Sequence, residues 1–246
     1  MLYHPSAAVE KTPSSAGLAF DPVAFAVTDT GTPRLKGWWI PATQEPGQRL
    51  LTVLYLHGQN GNLGGTVDAV ALLHAAGANV LDFDYRGYGE SQFARPSERS
   101  WRQDAEWALQ YLAGTRQIDA RTIVLDGTGL GANLALEVAA EHPELAGVIV
   151  DSAIADPTSA IFNDARAHMV PAHLLVQDRY DLDASAAADR VPVLWFGRAD
   201  AAGAMQEPQA YKRIAAQKML VRINPAGVVY KQTEDALSRW LDERSR

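Results

Sequence analysis

The chain has 246 residues, 47% of them apolar and 21% charged, with a formal net charge of −7 and no cysteine. A chain of this length buries one substantial core, so a single domain over residues 1–246 is expected, and the absence of cysteine excludes disulfides, thiolate metal sites and a cysteine nucleophile. The acidic balance and the lack of any clustered Lys/Arg run exclude a general affinity for nucleic acid. No stretch approaches the roughly 20 apolar residues of a membrane span, and Met1 to Phe20 lacks the basic-then-apolar pattern of a secretory signal. The chain reads as soluble as given. Its compartment stays open, because a membrane or lipid anchor upstream would leave the same appearance.

Leu2 to Asp21 is rich in Pro, Ser and Ala and reads as an irregular lead-in. Val23–Val27 and Leu35–Ile40 flank Asp29-Thr30-Gly31-Thr32, a turn composition that predicts an antiparallel hairpin. From Leu50 onward short apolar runs alternate with helical stretches: Leu51–Leu56, Val80–Phe83, Thr122–Leu125, Val148–Val150, Val193–Phe196 and Met219–Ile223. Apolar strands separated by helices predict an α/β fold, a mostly parallel central sheet covered on both faces. Trp101, Ala105, Ala108, Leu109 and Leu112 recur at helical spacing after Ser97 and mark an amphipathic helix. Leu130–Ala140 is apolar almost all round, as a helix at the centre of a fold must be. Leu237, Trp240 and Leu241 mark the inner face of a final helix. The segment 157–188 fits no strand and reads as a small cap inserted over the sheet edge.

Three loops follow three of these strands, at the carboxyl ends where parallel sheets place their sites. They are His57-Gly58-Gln59-Asn60-Gly61-Asn62, Asp84-Tyr85-Arg86-Gly87-Tyr88-Gly89-Glu90-Ser91 and Gly127-Thr128-Gly129-Leu130-Gly131. In this order they resemble the α/β-hydrolase superfamily, and within it the bud-emergence-type branch of serine-hydrolase-like proteins. Tyr3-His4-Pro5, Thr12-Pro13, Gly37-Trp38-Trp39-Ile40-Pro41 and Asp178-Arg179-Tyr180-Asp181 extend the resemblance over nearly the whole chain. It implies an α/β-hydrolase fold and, in an intact member, an esterase-like hydrolase with a nucleophilic serine at the apex of a GxSxG elbow.

Here the apex is Gly129, and no serine lies between Trp101 and Asp151. Thr128 is adjacent but falls on the strand side of the turn. The resemblance places the triad acid at Asp200 and the triad histidine where Val228 stands. All six histidines lie at or before position 173, and the superfamily's chain order is nucleophile, acid, histidine. The triad is therefore degenerate at two of three positions, and acyl-enzyme chemistry lacks its first step. A glycine at a nucleophile's strained position is expected to take φ > 0.

The oxyanion hole of such a fold consists of backbone N–H groups, which by position are those of Gln59 and Leu130. Together with His57 and Gly58 they outline an expected ligand site. Unpaired amides at the start of the buried helix would favour a carboxylate or another anion there. His57 itself reads as structural. His168 and His173, five apart, lack a third ligand, so neither metal nor cofactor is expected. Asp82, Asp84 and Asp126 read as loop caps that pair with Arg86 or solvent, and Arg86 as the cation that holds its loop. Trp38, Trp39 and Trp195 read as core or pocket wall. Three functions compete: a pseudoenzyme binding a small carboxylate- or ester-like ligand or a protein partner; a weak, unconventional hydrolase using the oxyanion hole; and a scaffold.

Overall fold

The structure is a computed structural model and describes residues 2–43, 49–158, 178–198, 207–223 and 229–245. The strands are β1 (His4–Pro5), β2 (Asp21–Val27), β3 (Pro33–Ile40), β4 (Thr52–Leu56), β5 (Asn60–Gly61), β6 (Asn79–Asp84), β7 (Ile123–Thr128), β8 (Gly147–Asp151), β9 (Val193–Arg198) and β10 (Lys218–Ile223). The α-helices are α1 (Val67–Ala75), α2 (Glu98–Gln110), α3 (Leu130–Glu141), α4 (Leu182–Ala188), α5 (Gln209–Arg213) and α6 (Val229–Ser245).

Eight strands form one sheet in the order β10-β9-β8-β7-β4-β6-β3-β2. Every pairing from β10 to β6 is parallel, and β3 joins β6 and β2 antiparallel. All eight predicted strands are present. The apolar runs are continuous because helices cover both faces, so β4 and β6 are buried at every residue.

The helices follow the same logic. A capping box starts α2, with the Ser97 side chain accepting from Ser100 N and the Ser100 side chain accepting from Ser97 N. Its predicted inner residues Trp101, Ala105, Ala108 and Leu109 are all buried. Leu112 is buried as well, on a π-helical turn at Tyr111–Thr115 that the spacing did not indicate. Helix α3 is buried along most of its length, and α6 seats Leu237, Trp240 and Leu241 against the opposite face of the sheet. Of the segment read as a cap, residues 159–177 lie outside the described residues, and so do His168 and His173. The part that follows forms α4, which packs against α3 and α5 and buries Leu182 and Ala186. No helix among the described residues is long and apolar enough to cross a membrane.

Candidate functional site

Strand β4 lies between β6 and β7, so the chain leaves it first to one side and later returns on the other. A crevice at the carboxyl end of such a switch point is where open α/β sheets hold ligands. The loop after β4 and the turn between β7 and α3 meet there. Their approach depends on glycines. A Cβ on Gly131 would lie 2.0 Å from Leu56 O, and one on Gly127 would lie 2.2 Å from Gly131 O. Both obstacles are backbone and neither can swing aside, which is why residues 127–131 read Gly-x-Gly-x-Gly.

At the apex Gly129 has φ 57° and ψ −124°, the positive φ expected for it, in a region that glycine enters without a Cβ clash. Its N–H donates to Asp151 O at 3.1 Å, tying the elbow to the end of β8. The turn is thus built as a nucleophile elbow is built, with no side chain at its tip.

The space beside the tip is taken by Gln59. Its main-chain oxygen accepts from His4 N at 2.8 Å and from Tyr88 Oη at 2.9 Å, which fixes the loop. Its side-chain Oε1 accepts the Leu130 N–H at 3.2 Å. A Cβ on Gly129 would stand only 2.9 Å from that same Oε1. This corrects the expectation of an unpaired amide at the start of α3. The Leu130 donor is in place, but the protein's own carboxamide occupies it.

His57 does not line an open site. Its ring is buried against Tyr85, Tyr88 and Trp101, with ring centroids 4.5, 5.1 and 6.0 Å away. Its Nδ1 lies 2.7 Å from Gly58 O, and its Nε2 lies 3.5 Å from Asp84 Oδ1. Gly58 contributes close approach: a Cβ there would stand 3.1 Å from Thr128 O. Thr128 ends β7 on the strand side of the turn, as the sequence indicated.

The expected pairing of Arg86 with the strand-end aspartates is also corrected. Arg86 Nε binds Asp104 Oδ1 at 2.6 Å, and Arg86 N donates to Asp104 Oδ2 at 2.8 Å. Asp104 sits on the buried face of α2, between Trp101 and Ala108. A carboxylate among apolar positions at helical spacing was the signal that it had a fixed partner. Asp84 Oδ1 instead accepts from Leu63 N, and Asp82 accepts from the Thr66 hydroxyl. Burial pushes the Asp82 and Asp126 carboxyls well above the usual range. Asp200 and Val228, where the resemblance places the triad acid and histidine, lie outside the described residues. Among the described residues, no cluster of three His, Asp or Glu side chains is arranged to hold a metal ion.

The strand order, the Gly-x-Gly-x-Gly elbow and the loop after β4 together define an α/β-hydrolase-fold protein. The family model described as serine aminopeptidase, S33, matches residues 47–231, and the chain belongs to that family. It is 30% identical over 194 residues to the uncharacterized protein YfhR of Salmonella typhi, covering 74% of this chain and 63% of that one. It is 32% identical over 196 residues to the uncharacterized protein Rv2307c of Mycobacterium tuberculosis, covering 79% and 66%. The chain therefore spans less than two thirds of the length of these relatives. Among solved structures, the esterase Pf2001 of Pyrococcus furiosus superposes with a TM-score of 0.72 at 19% identity, covering 100% of this chain and 99% of that one. At that identity the likeness is one of fold.

Proposed function

We propose that this chain is a pseudoenzyme of the hydrolase fold, one that binds a small ligand at the remnant of the site and does not form an acyl-enzyme. The observation that carries this reading is the pair Gly129 and Gln59. A glycine at the apex offers no nucleophile, and the Gln59 carboxamide holds the Leu130 donor that would stabilise a developing oxyanion. Val228 stands where the resemblance calls for the base. Loss of triad members in a serine protease removes on the order of 10⁶ in kcat, which leaves binding as the capacity of such a fold.

The reading is tested with p-nitrophenyl acetate and butyrate, together with a fluorophosphonate probe that labels activated serines. Turnover at buffer background and no labelling are expected. Ester turnover well above background that disappears on Asp200→Ala would overturn it.

A further inference from the structure

We infer that the cavity over the β2, β3 and β6 end of the sheet is a second binding site, for a small primary amine carried on an apolar body, with Asp84 as the group that receives the ammonium. Its volume is about 370 Å³, within the range of small-molecule sites. It shares no wall residue with the corner formed by Gly129 and Gln59, so it stands or falls independently of the pseudoenzyme reading. The strand register builds it. Ala24 pairs with Lys36, and Lys36 in turn pairs with Asp84. Cross-strand partners share a face, so these three side chains form a row across β2, β3 and β6. The small Ala24 leaves room at the outer end of that row, and Val9, Pro22, Trp38 and Leu63 supply apolar walls. The lead-in that carries Val9 is fixed, because Asn62 Nδ2 donates to Ser6 O at 3.1 Å and to Ala8 O at 2.7 Å.

Asp84 gives the cavity its polarity. The side chain is 1% exposed, and its Oδ1 accepts from Leu63 N at 2.9 Å and lies 3.5 Å from His57 Nε2. Its Oδ2 is equally buried and has no hydrogen-bond partner among the described residues. A buried acceptor without a donor costs stability, and native structures nearly always supply one. Lys36 stands directly across the strand pair, but its Nζ is engaged by Glu90 Oε2 at 3.5 Å. Besides the Thr12 hydroxyl, two carboxyl groups therefore face one ammonium in an otherwise apolar cavity. A guest suited to it brings N–H donors for Oδ2 and a positive charge for the acidic balance. An ammonium head meets both conditions, an alcohol only the first and a carboxylate neither.

Titration calorimetry on the full chain with benzylamine, benzyl alcohol and benzoate compares an ammonium, a hydroxyl and a carboxylate on the same ring. Saturable binding is expected for benzylamine, at least about 10-fold tighter than for benzyl alcohol, because a charge-assisted hydrogen bond is roughly twice as strong as a neutral one. Benzoate should bind more weakly still. Asp84→Asn keeps an acceptor for Leu63 N and should remove the preference for the amine. Ala24→Trp, at an exposed residue of the edge strand, should fill the cavity and abolish binding without disturbing the fold. Lys36→Met keeps the aliphatic wall, removes the competing cation and should tighten benzylamine several-fold while leaving benzyl alcohol unchanged. If Asp84→Asn does not fold, these two variants decide the matter. Absence of saturable benzylamine binding, or benzyl alcohol or benzoate bound as tightly as the amine, would overturn the inference. So would a preference kept in folded Asp84→Asn, unchanged affinity in Ala24→Trp, or no tightening in Lys36→Met.

Discussion

The side-chain oxygen of Gln59 accepts the backbone N–H of Leu130 at 3.2 Å, so the first amide of the central helix is bonded to a glutamine side chain from the loop after β4. Removing the glutamine leaves that donor to water. Gln59→Ala should cost about 0.5–1.5 kcal/mol, the ordinary net value of one hydrogen bond. Urea denaturation reads the cost, and faster amide exchange at Leu130 would assign it to this bond. Unchanged exchange at Leu130 would mean the contact is not formed in solution.

Gly129→Ser tests the apex. A serine at φ 57° is strained, and its Cβ would meet Gln59 Oε1 at 2.9 Å. The glutamine end can swing away, so the backbone conformation dominates, and a loss of about 1–3 kcal/mol is expected from the denaturation midpoint. The single variant should remain without esterase activity, because an unassisted serine hydroxyl is a poor nucleophile.

Repair of catalysis needs the hole as well as the triad. Gly129→Ser with Val228→His supplies nucleophile and base, but Gln59 still competes for the Leu130 donor. Adding Gln59→Ala to that pair should raise p-nitrophenyl butyrate hydrolysis further. The increase is bounded by about 10²–10³-fold, the value of one oxyanion donor. A triple variant no faster than the double would show that the glutamine does not obstruct the hole.

Gly131→Ala is expected to be far more damaging than Gly129→Ser. Its Cβ would stand 2.0 Å from Leu56 O, and relief requires moving β4 or α3. The loss should reach or exceed the upper end of the 1–3 kcal/mol usual for overpacking. Gly114→Ala, with nothing within 4 Å of the added atom, is the control and should shift the thermal midpoint little.

Stability should fall as pH rises from about 5 to 7.5. Burial pushes Asp104 up to about 6 despite Arg86, Asp189 to about 6 and Glu137 to about 7. Unfolded carboxyls titrate near 4. The folded state therefore binds these protons more tightly, and the stability they contribute is full below about pH 4 and lost as pH passes 6 to 7. For His142 burial opposes the shift, but hydrogen bonds to Glu144 and Glu106 raise it, and its contribution is lost in the same direction. Glu144, lowered chiefly by its hydrogen bond to His142, acts oppositely, with a contribution present at neutral pH and lost in acid. Urea midpoints at pH 5 and 7.5 read the balance, and Asp104→Asn should flatten the difference. A higher midpoint at pH 7.5 would refute the assignment.

Much of this molecule was legible in its residues, because the signals involved are local. Apolar run length located the six parallel strands of the large sheet, β4 and β6 to β10, and the turn composition at residues 29–32 located the hairpin of β2 and β3, whose outer strand alternates between buried and exposed residues. The Gly-x-Gly-x-Gly turn and the missing serine were legible too, for a glycine lacks a nucleophile in any fold. The helix of residues 67–75 and the partnership of Arg86 with Asp104 were not anticipated. The first is short, and the second joins a loop to a helix face across 18 residues. The occupant of the Leu130 donor was beyond reach altogether. A glutamine side chain reaches into whatever space its neighbours leave, and Gln59 reaches Leu130 only because β4 and β7 pair side by side, 71 residues apart in the chain. Sequence determined that the elbow would carry no nucleophile; only the tertiary structure decided that its empty corner would be filled from within.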